Sequence, residues 1–269
     1  MVPRVMAICF ALVFGWTFVV WLGGCSPTAE SPVEPNARID PPTEFASTGI
    51  KVEEPVRVKE RWAVEDFSLE LVQFETVFWD SADTDSLRDL IRTTPLVKHK
   101  TVLEIGTGTG LISLCCLTRG ASRVVATDIN PAAIANARYN ARRLDVDDRL
   151  ETRLVPMDDA AAYEVIDSDE KFDLILSNPP WENQAPQSID EYAFYDEDFA
   201  LMRSLLEGLS DHLTNDGKAL LAYGNVEAIR TLLRIAPQFN LDTGLLDDRK
   251  LDDLPNNFLP GMLIEITVR

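Results

Sequence analysis

The sequence predicts an α/β fold, a mainly parallel seven-stranded sheet covered by helices on both faces. Three observations carry this reading. From residue 102 onward, short β-rich apolar runs alternate with helically spaced segments, the pattern that buries a parallel sheet between two helical layers. Gly, Pro, Asn or Asp punctuate the passages from strand to helix, as tight turns and helix starts require. Hydrophobic residues make up 46% and charged residues 26% of the 269, so a sizeable core can form and wholesale disorder is excluded.

Residues 102–105 form the first core strand, ending in glycines, and 111–119 follow with helical spacing. A second strand at 123–127 leads into a helix over 131–143, which has Pro131 at its first position, Asn130 available as cap, and many alanines. Residues 150–155 and 172–176 supply the third and fourth strands. A helix over 199–213, stopped by Asn215-Asp216-Gly217, precedes a fifth strand at 218–223, and 226–235 forms another helix. Residues 239–246 and 262–268 supply the last two strands. Upstream, Phe67, Leu69 and Leu71 alternate within 67–78, which predicts an extra strand or hairpin serving as part of a small lid or as a sheet edge. No internal repeat is visible, so solenoids and propellers drop out.

The N-terminus reads as a targeting segment. Arg4 precedes an almost unbroken apolar run from residue 5 to 22, long enough to span a bilayer. The run ends in Leu22-Gly23-Gly24-Cys25, which resembles the lipobox of bacterial lipoprotein signal peptides. That resemblance implies a signal peptide over 1–24 with Cys25 as the lipidated residue; an uncleaved signal anchor is the alternative. Either arrangement ties the protein to a membrane and places the domain outside the cytoplasm, because Arg4 lies before the run while Glu30, Glu34 and Asp40 lie after it. Residues 25–58, rich in Pro, Ser, Thr and Glu, read as a flexible tether, and 59–269 as the folded domain.

Charge and cysteine content narrow the chemistry. The chain carries 25 Lys+Arg against 44 Asp+Glu, a net charge of −19, the wrong sign for nonspecific nucleic-acid or anionic-membrane binding. Its four cysteines, Cys9, Cys25, Cys115 and Cys116, give neither a disulfide framework nor a C-x-x-C metal pattern, and no metal site is expected. Cys115 and Cys116 fall among Leu111, Ile112, Leu114 and Leu117 and fit as small buried hydrophobes. His99 and His212 lack ligand-spaced partners.

Polar residues with chemical potential gather at the expected strand ends. Glu104, Gly106, Thr107, Gly108 and Gly110 stand in the pattern E-x-G-x-G-x-G where the first strand enters its helix. Glycines let a ligand approach the backbone there, and the helix start offers unpaired N–H groups. The spacing departs from the dinucleotide fingerprint, which needs glycine where Leu111 stands. Asp128 ends the second strand, where a carboxylate can accept both ribose hydroxyls of a nucleoside; its other reading is a cap for the helix at Pro131, a role open to Asn130 as well. Ser177-Asn178-Pro179-Pro180-Trp181 follows the fourth strand, and its two prolines fix the loop. A delocalised amide or aryl nitrogen is a poor nucleophile, so its N–H groups must be held and aimed. Asn178 offers a side-chain carbonyl, Pro179 a main-chain carbonyl, and Trp181 a flat face for such a group.

The glycine pattern with its leading acid resembles the first motif of class I S-adenosylmethionine-dependent methyltransferases. The Asn-Pro-Pro-Trp turn resembles the N/D-P-P-Y/F/W signature of those members that methylate a planar nitrogen, either a protein glutamine amide or an exocyclic amino group of adenine or guanine. The likeness extends to HemK-like glutamine methyltransferases and related small-domain methyltransferases over roughly residues 78–269, where Ala82-Asp83-Thr84-Asp85 stands in place of their Pro-Glu-Thr-Glu-like segment near the cofactor. A recognisable helical substrate-recognition domain is missing.

The resemblance implies a Rossmann-like class I methyltransferase fold with S-adenosylmethionine as cofactor. It assigns cofactor binding to Glu104, Gly106, Thr107, Gly108, Gly110, Asp128, Ile129, Asn178 and Thr84, with Asp158 near the adenine amino group. Asn178, Pro179 and Trp181 become the acceptor-binding and catalytic residues. The expected reaction is methyl transfer to a planar nitrogen of a protein or small-molecule acceptor, nucleic acid being disfavoured by charge. Two readings compete with it: methylation of RNA or DNA amino groups, and an exported non-catalytic nucleoside-binding module. Glu182, Asp190, Glu191, Asp196, Glu197 and Asp198 make the segment after the proline turn acidic, which reads as a solvated loop or, more sharply, as an acceptor lid that prefers a neutral or basic substrate.

Overall fold

The computed structural model describes Arg38–Ile39 and residues 56–269. The apolar leader, Cys25 and most of the expected tether lie outside the described residues. No helix among the described residues is long and apolar enough to cross a membrane.

Two sheets organise the described chain. The first is a three-stranded antiparallel sheet of β1 (Arg38–Ile39), β2 (Val56–Trp62) and β3 (Leu71–Phe74), in that order. The hairpin expected within 67–78 is therefore β3 paired with an earlier strand. Strand pairing also reaches back into the expected tether: Arg38 faces Arg57 and Ile39 faces Val56, so the folded part begins before residue 59. Pairing there gives backbone N–H and C=O groups of β2 the partners an unpaired edge would lack.

Helix α1 (Asp85–Thr93), absent from the predicted elements, comes next. The second sheet then forms from β4 (Thr101–Ile105), β5 (Arg123–Asp128), β6 (Leu150–Leu154), β7 (Phe172–Ser177), β8 (Leu213–Asn225), β9 (Leu241–Leu245) and β10 (Asn257–Val268). The helices between them are α2 (Leu111–Thr118), α3 (Pro131–Arg143), α4 (Ala200–His212) and α5 (Val226–Ile235). Strand order is β6-β5-β4-β7-β8-β10-β9, with β10 antiparallel to both neighbours and the other pairs parallel. This is the predicted seven-stranded α/β sheet. The chain winds outward from β4 through β5 to β6 and then returns to place β7 on the other side of β4, so a crevice opens beyond the carboxyl ends of these strands.

Period-two alternation distributes the sheet between two cores. Val102, Val124, Ala126, Leu174, Leu176, Leu220 and Leu263 face α1 and α2. Leu103, Val125, Ile175, Ala219, Leu221 and Ile264 face α4 and α5. Nearly continuous apolar strands are the signature of a sheet covered on both sides. Cys115 and Cys116 are buried in the first of these cores, and burial pushes both thiols well up from their ordinary range.

One boundary differs instructively. Asn215-Asp216-Gly217 does not stop α4; the helix ends at His212 and the chain passes directly into β8. The register steps from Phe172–Leu213 to Leu174–Lys218, so these polar residues form a bulge inside the strand. A bulge relieves the ladder for a few residues without ending it.

The small sheet docks on α3 through side-chain amides. Asn140 Oδ1 accepts from the Val72 N–H at 2.9 Å and its Nδ2 donates to the Val72 carbonyl at 2.8 Å and the Thr109 carbonyl at 3.0 Å. Asn136, one turn earlier, accepts from the Phe74 N–H at 2.8 Å and donates to the Val72 carbonyl at 2.7 Å. Two buried asparagines thus pair the free edge of β3 as a further strand would. Asn140→Ala should destabilise the protein by about 2–3 kcal/mol, because it strands buried backbone groups. Urea unfolding monitored by circular dichroism checks this; a loss under about 0.5 kcal/mol would contradict it.

Candidate active site

A cavity of about 540 Å³ occupies the crevice at the carboxyl ends of β4, β5 and β7. Its floor is the turn from β4 to α2, with Glu104, Gly106, Thr107 and Gly108; Asp128 and Ile129 close the end of β5, and Asn178 the end of β7. Phe78, Trp79, Asp80 and Thr84 form one wall, and residues of the segment from Pro186 to Glu197 form the other. That volume lies within the range of small-molecule and cofactor sites.

Hydrogen bonds tie the three strand ends together. The Gly106 and Thr107 N–H groups donate to the Thr127 carbonyl at 2.9 and 3.0 Å, and Ser177 Oγ donates to the Ile105 carbonyl at 2.6 Å. Gly106 adopts φ +78°, and a Cβ built there would meet nothing within 4 Å, so the main chain borders open space. Asp128 accepts from the Gly108 N–H at 2.9 Å and from the Asn130 N–H at 2.8 Å. It does not cap α3: Asn130 does, accepting from the Ala132 N–H at 2.9 Å. Burial pushes the Asp128 carboxyl up to about 6, against the pull of its backbone donors. Glu104 accepts from Thr107 Oγ1 at 2.8 Å, from the Ser113 N–H at 3.1 Å and from Ser113 Oγ; burial lifts it to about 7.

Two buried oxygens along this cavity have no hydrogen-bond partner, Thr84 Oγ1 and Asn178 Oδ1. Buried polar atoms are normally satisfied, so two unsatisfied ones on residues of a single cavity are consistent with a site that a ligand completes. The structure therefore brings together Glu104, Gly106, Thr107, Gly108, Asp128, Ile129, Thr84 and Asn178.

Four expected residues stand elsewhere. Gly110 does not line the cavity; its φ of +89° and a Cβ position 3.0 Å from Ala137 Cα make it the point where α2 meets α3. Pro179 is buried behind the lining. Asp158 is exposed on the turn after β6 and does not line the cavity, although Val155 and Ala160 near it do. Trp181 turns its ring inward against the α4–α5 core, where a Cβ on Gly224 would lie 2.7 Å from the indole, so its flat face is not offered to the cavity.

The aromatic surface of the site comes from residues the sequence reading passed over. Phe78, Trp79, Tyr192 and Tyr195 line the cavity. Trp79 stacks on Trp62 of β2 with centroids 5.4 Å apart and planes at 10°, while Phe78 meets Phe194 edge-on at 5.1 Å. The lid is a closed loop, pinned where Glu182 N–H donates to the Phe194 carbonyl and Asp196 N–H to the Glu182 carbonyl. Within its acidic run, Asp196 serves structure: it is buried and accepts from the Leu201 and Met202 N–H groups at 2.8 and 3.1 Å at the start of α4. Glu197 and Asp198 remain exposed.

These residues fit S-adenosylmethionine, which the glycine motif's resemblance implies. Asp128 brings a carboxylate to the cavity at the end of β5, and the glycine turn leaves open space beside the main chain. Asp80, Glu104, Asp128, Asp196 and Glu197 border the cavity without a lysine, arginine or histidine among the described lining residues, which suits a positively charged ligand.

Known proteins give the same direction. The family model for the methyltransferase small domain matches residues 69–234. A release factor glutamine methyltransferase from Cereibacter sphaeroides is 38% identical over 136 residues, 46% of this chain and 46% of that protein. A tRNA1(Val) (adenine(37)-N6)-methyltransferase from Shewanella halifaxensis is 30% identical over 149 residues, covering 55% of this chain and 59% of the relative. The chain thus spans about half the length of these curated relatives. Among solved structures, a ribosomal protein L11 methylase from Lactobacillus delbrueckii subsp. bulgaricus shares the fold, with a TM-score of 0.53 at 20% identity over 72% of this chain and 81% of that one. The chain belongs to the methyltransferase small domain family.

Proposed function

We propose that the protein transfers a methyl group to a planar nitrogen, most directly the side-chain amide of a glutamine-like residue in a protein acceptor. The observation that carries this reading is the unpaired Asn178 Oδ1 at the end of β7, across the cavity floor from the glycine turn. An amide N–H donates to it. Holding that N–H orients the nitrogen and supplies the proximity that a weak nucleophile needs. Bound in the cavity, S-adenosylmethionine supplies an electrophilic methyl group on a positively charged sulfur. Asp128 and Thr84 bind and orient the nucleoside, the glycine turn admits it, and Phe78, Tyr192 and Tyr195 give the planar acceptor an apolar, aromatic surround.

The relatives act, by their names, on a glutamine of a release factor and on an adenine of tRNA. An anionic nucleotide entering this cavity would meet five acidic side chains and no described base, and the whole chain carries −19. Charge therefore favours the protein acceptor. The leader ending at Cys25 would hold the enzyme at a membrane, and a domain beyond the cytosol would need its methyl donor supplied there.

Asp128→Ala should weaken S-adenosylmethionine binding about 10- to 100-fold, the loss expected for hydrogen bonds to a charged group. Asn178→Ala should leave that affinity within about twofold while abolishing transfer of labelled methyl into protein fractions of a cell extract. Calorimetry and label counting check the pair, and label entering RNA instead would favour amino-group methylation of nucleic acid. Cofactor affinity should also depend on pH. Ribose hydroxyls need an ionised acceptor, and the Asp128 carboxyl stands raised to about 6, so binding should weaken as pH falls through that value and strengthen as it rises. A flat profile from about pH 5 to 7.5 would contradict the ribose role.

A further inference from the structure

The amide of Asn178 can present either of two ends to an acceptor, and only one is useful. With Oδ1 facing the cavity it accepts an N–H; rotated by half a turn, the same side chain would present its own NH2 group and repel that N–H. Hydrogen-bond partners decide which end of an amide faces which way.

Asn178 lines the cavity, and its Oδ1 is buried without a hydrogen-bond partner. Its Nδ2 donates to Asp83 Oδ2 at 3.4 Å. Asp83 does not line the cavity and is only 2% exposed. Its position is fixed from behind. Gly261 of β10 donates its N–H to the Asp83 carbonyl at 3.2 Å, and a Cβ on Gly261 would lie 2.5 Å from that oxygen. Ser86 Oγ completes the clasp by donating to the Gly261 carbonyl at 2.8 Å. An ionised carboxylate has no proton to give, so it tolerates only the NH2 end of the amide.

We propose that Asp83 is a positioning residue: it holds the NH2 end of Asn178 away from the cavity and so makes the carbonyl oxygen the end presented to the methyl acceptor. The inference deepens the reading of Asn178 as the acceptor-binding group and rests on it. Asp83 reaches Asn178 from the segment before α1, 95 residues away in sequence, so the orientation of the proline turn is set by a different part of the chain. The groups facing Asp83 are few. Burial and the nearby Asp80 raise its carboxyl to about 6, while the Asn178 hydrogen bond pulls the other way; from β10 it meets the backbone of Gly261.

The test follows the Asn178 side-chain NH2 signal in proton–nitrogen correlation spectra of the isotopically labelled full chain across a pH series, with Asn178→Ala to assign it. Calorimetry with S-adenosylmethionine runs alongside. The NH2 signal should shift as pH crosses about 6. In Asp83→Asn that shift should vanish while cofactor affinity stays within about twofold. A signal that ignores pH in the unsubstituted chain, or titrates identically in Asp83→Asn, overturns the proposal. So does a folded Asp83→Asn protein that has lost cofactor binding, because Asp83 would then belong to the cofactor site. Should Asp83→Asn fail to fold, the pH series on the unsubstituted chain decides alone. The amide signal needs no acceptor, so it reports on Asp83 separately; failure of the unsubstituted chain to bind S-adenosylmethionine would count against the methyltransferase site itself.

Discussion

Three adjacent parallel strands end in one plane because their last residues are hydrogen-bonded to one another, and the site exists only where they do. The Gly106 and Thr107 N–H groups are held on the Thr127 carbonyl, Gly108 N–H on the Asp128 carboxylate, and Ser177 Oγ on the Ile105 carbonyl. Each bond crosses from one strand end to the next. Together they put a glycine turn, a carboxylate and an asparagine around a single cavity although these residues lie far apart in sequence. Loosening any of them would move a reacting group relative to its partner, and catalysis by positioning is sensitive to displacements of that kind.

The remaining parts of the fold support this edge from outside. The small sheet is fastened to α3 by Asn136 and Asn140, and its Trp62 stacks on Trp79, which lines the cavity. Gln73 reinforces that wall, accepting from Trp62 Nε1 at 3.0 Å and donating to the Val77 carbonyl at 2.7 Å. On the opposite side, Asp196 joins the lid to α4. The acidic residues of this segment therefore divide among the buried Asp196, the half-buried Glu182 and Glu191, and the exposed Asp190, Glu197 and Asp198. The distinction matters for charge arguments, because a capping carboxylate already spends its acceptors on backbone N–H groups.

Much of this was legible in the sequence because local chemistry decided it. Alternating apolar runs located the seven strands, Asn130 and Pro131 announced the start of α3, and the glycine turn, Asp128 and Asn178 all stand at the cavity. What escaped depends on tertiary packing. Trp181 follows two prolines, a setting that suggests an exposed platform, yet the space left by Gly224 draws its ring inward. Asp158 sits on an acidic turn that looks alike in sequence whether it faces a ligand or solvent. Gly110 stands where α3 approaches α2 and does not line the cavity. The aromatic wall at Phe78 and Trp79 and the Asp83 contact to Asn178 belong to a segment whose role is set by partners 95 residues away or by a separate sheet. Asn215-Asp216-Gly217 has the composition of a helix stop, but a bulge accommodates the same residues within β8.

The central claim is that a nucleoside lies across the ends of β4 and β5 with its sulfur directed at the end of β7. A crystal structure of the chain with S-adenosylhomocysteine tests it most directly. The ribose hydroxyls should rest on Asp128 and the sulfur should point toward Asn178, with an open path between them for an acceptor nitrogen. A nucleoside bound elsewhere, or one whose sulfur is walled off from Asn178, would contradict it.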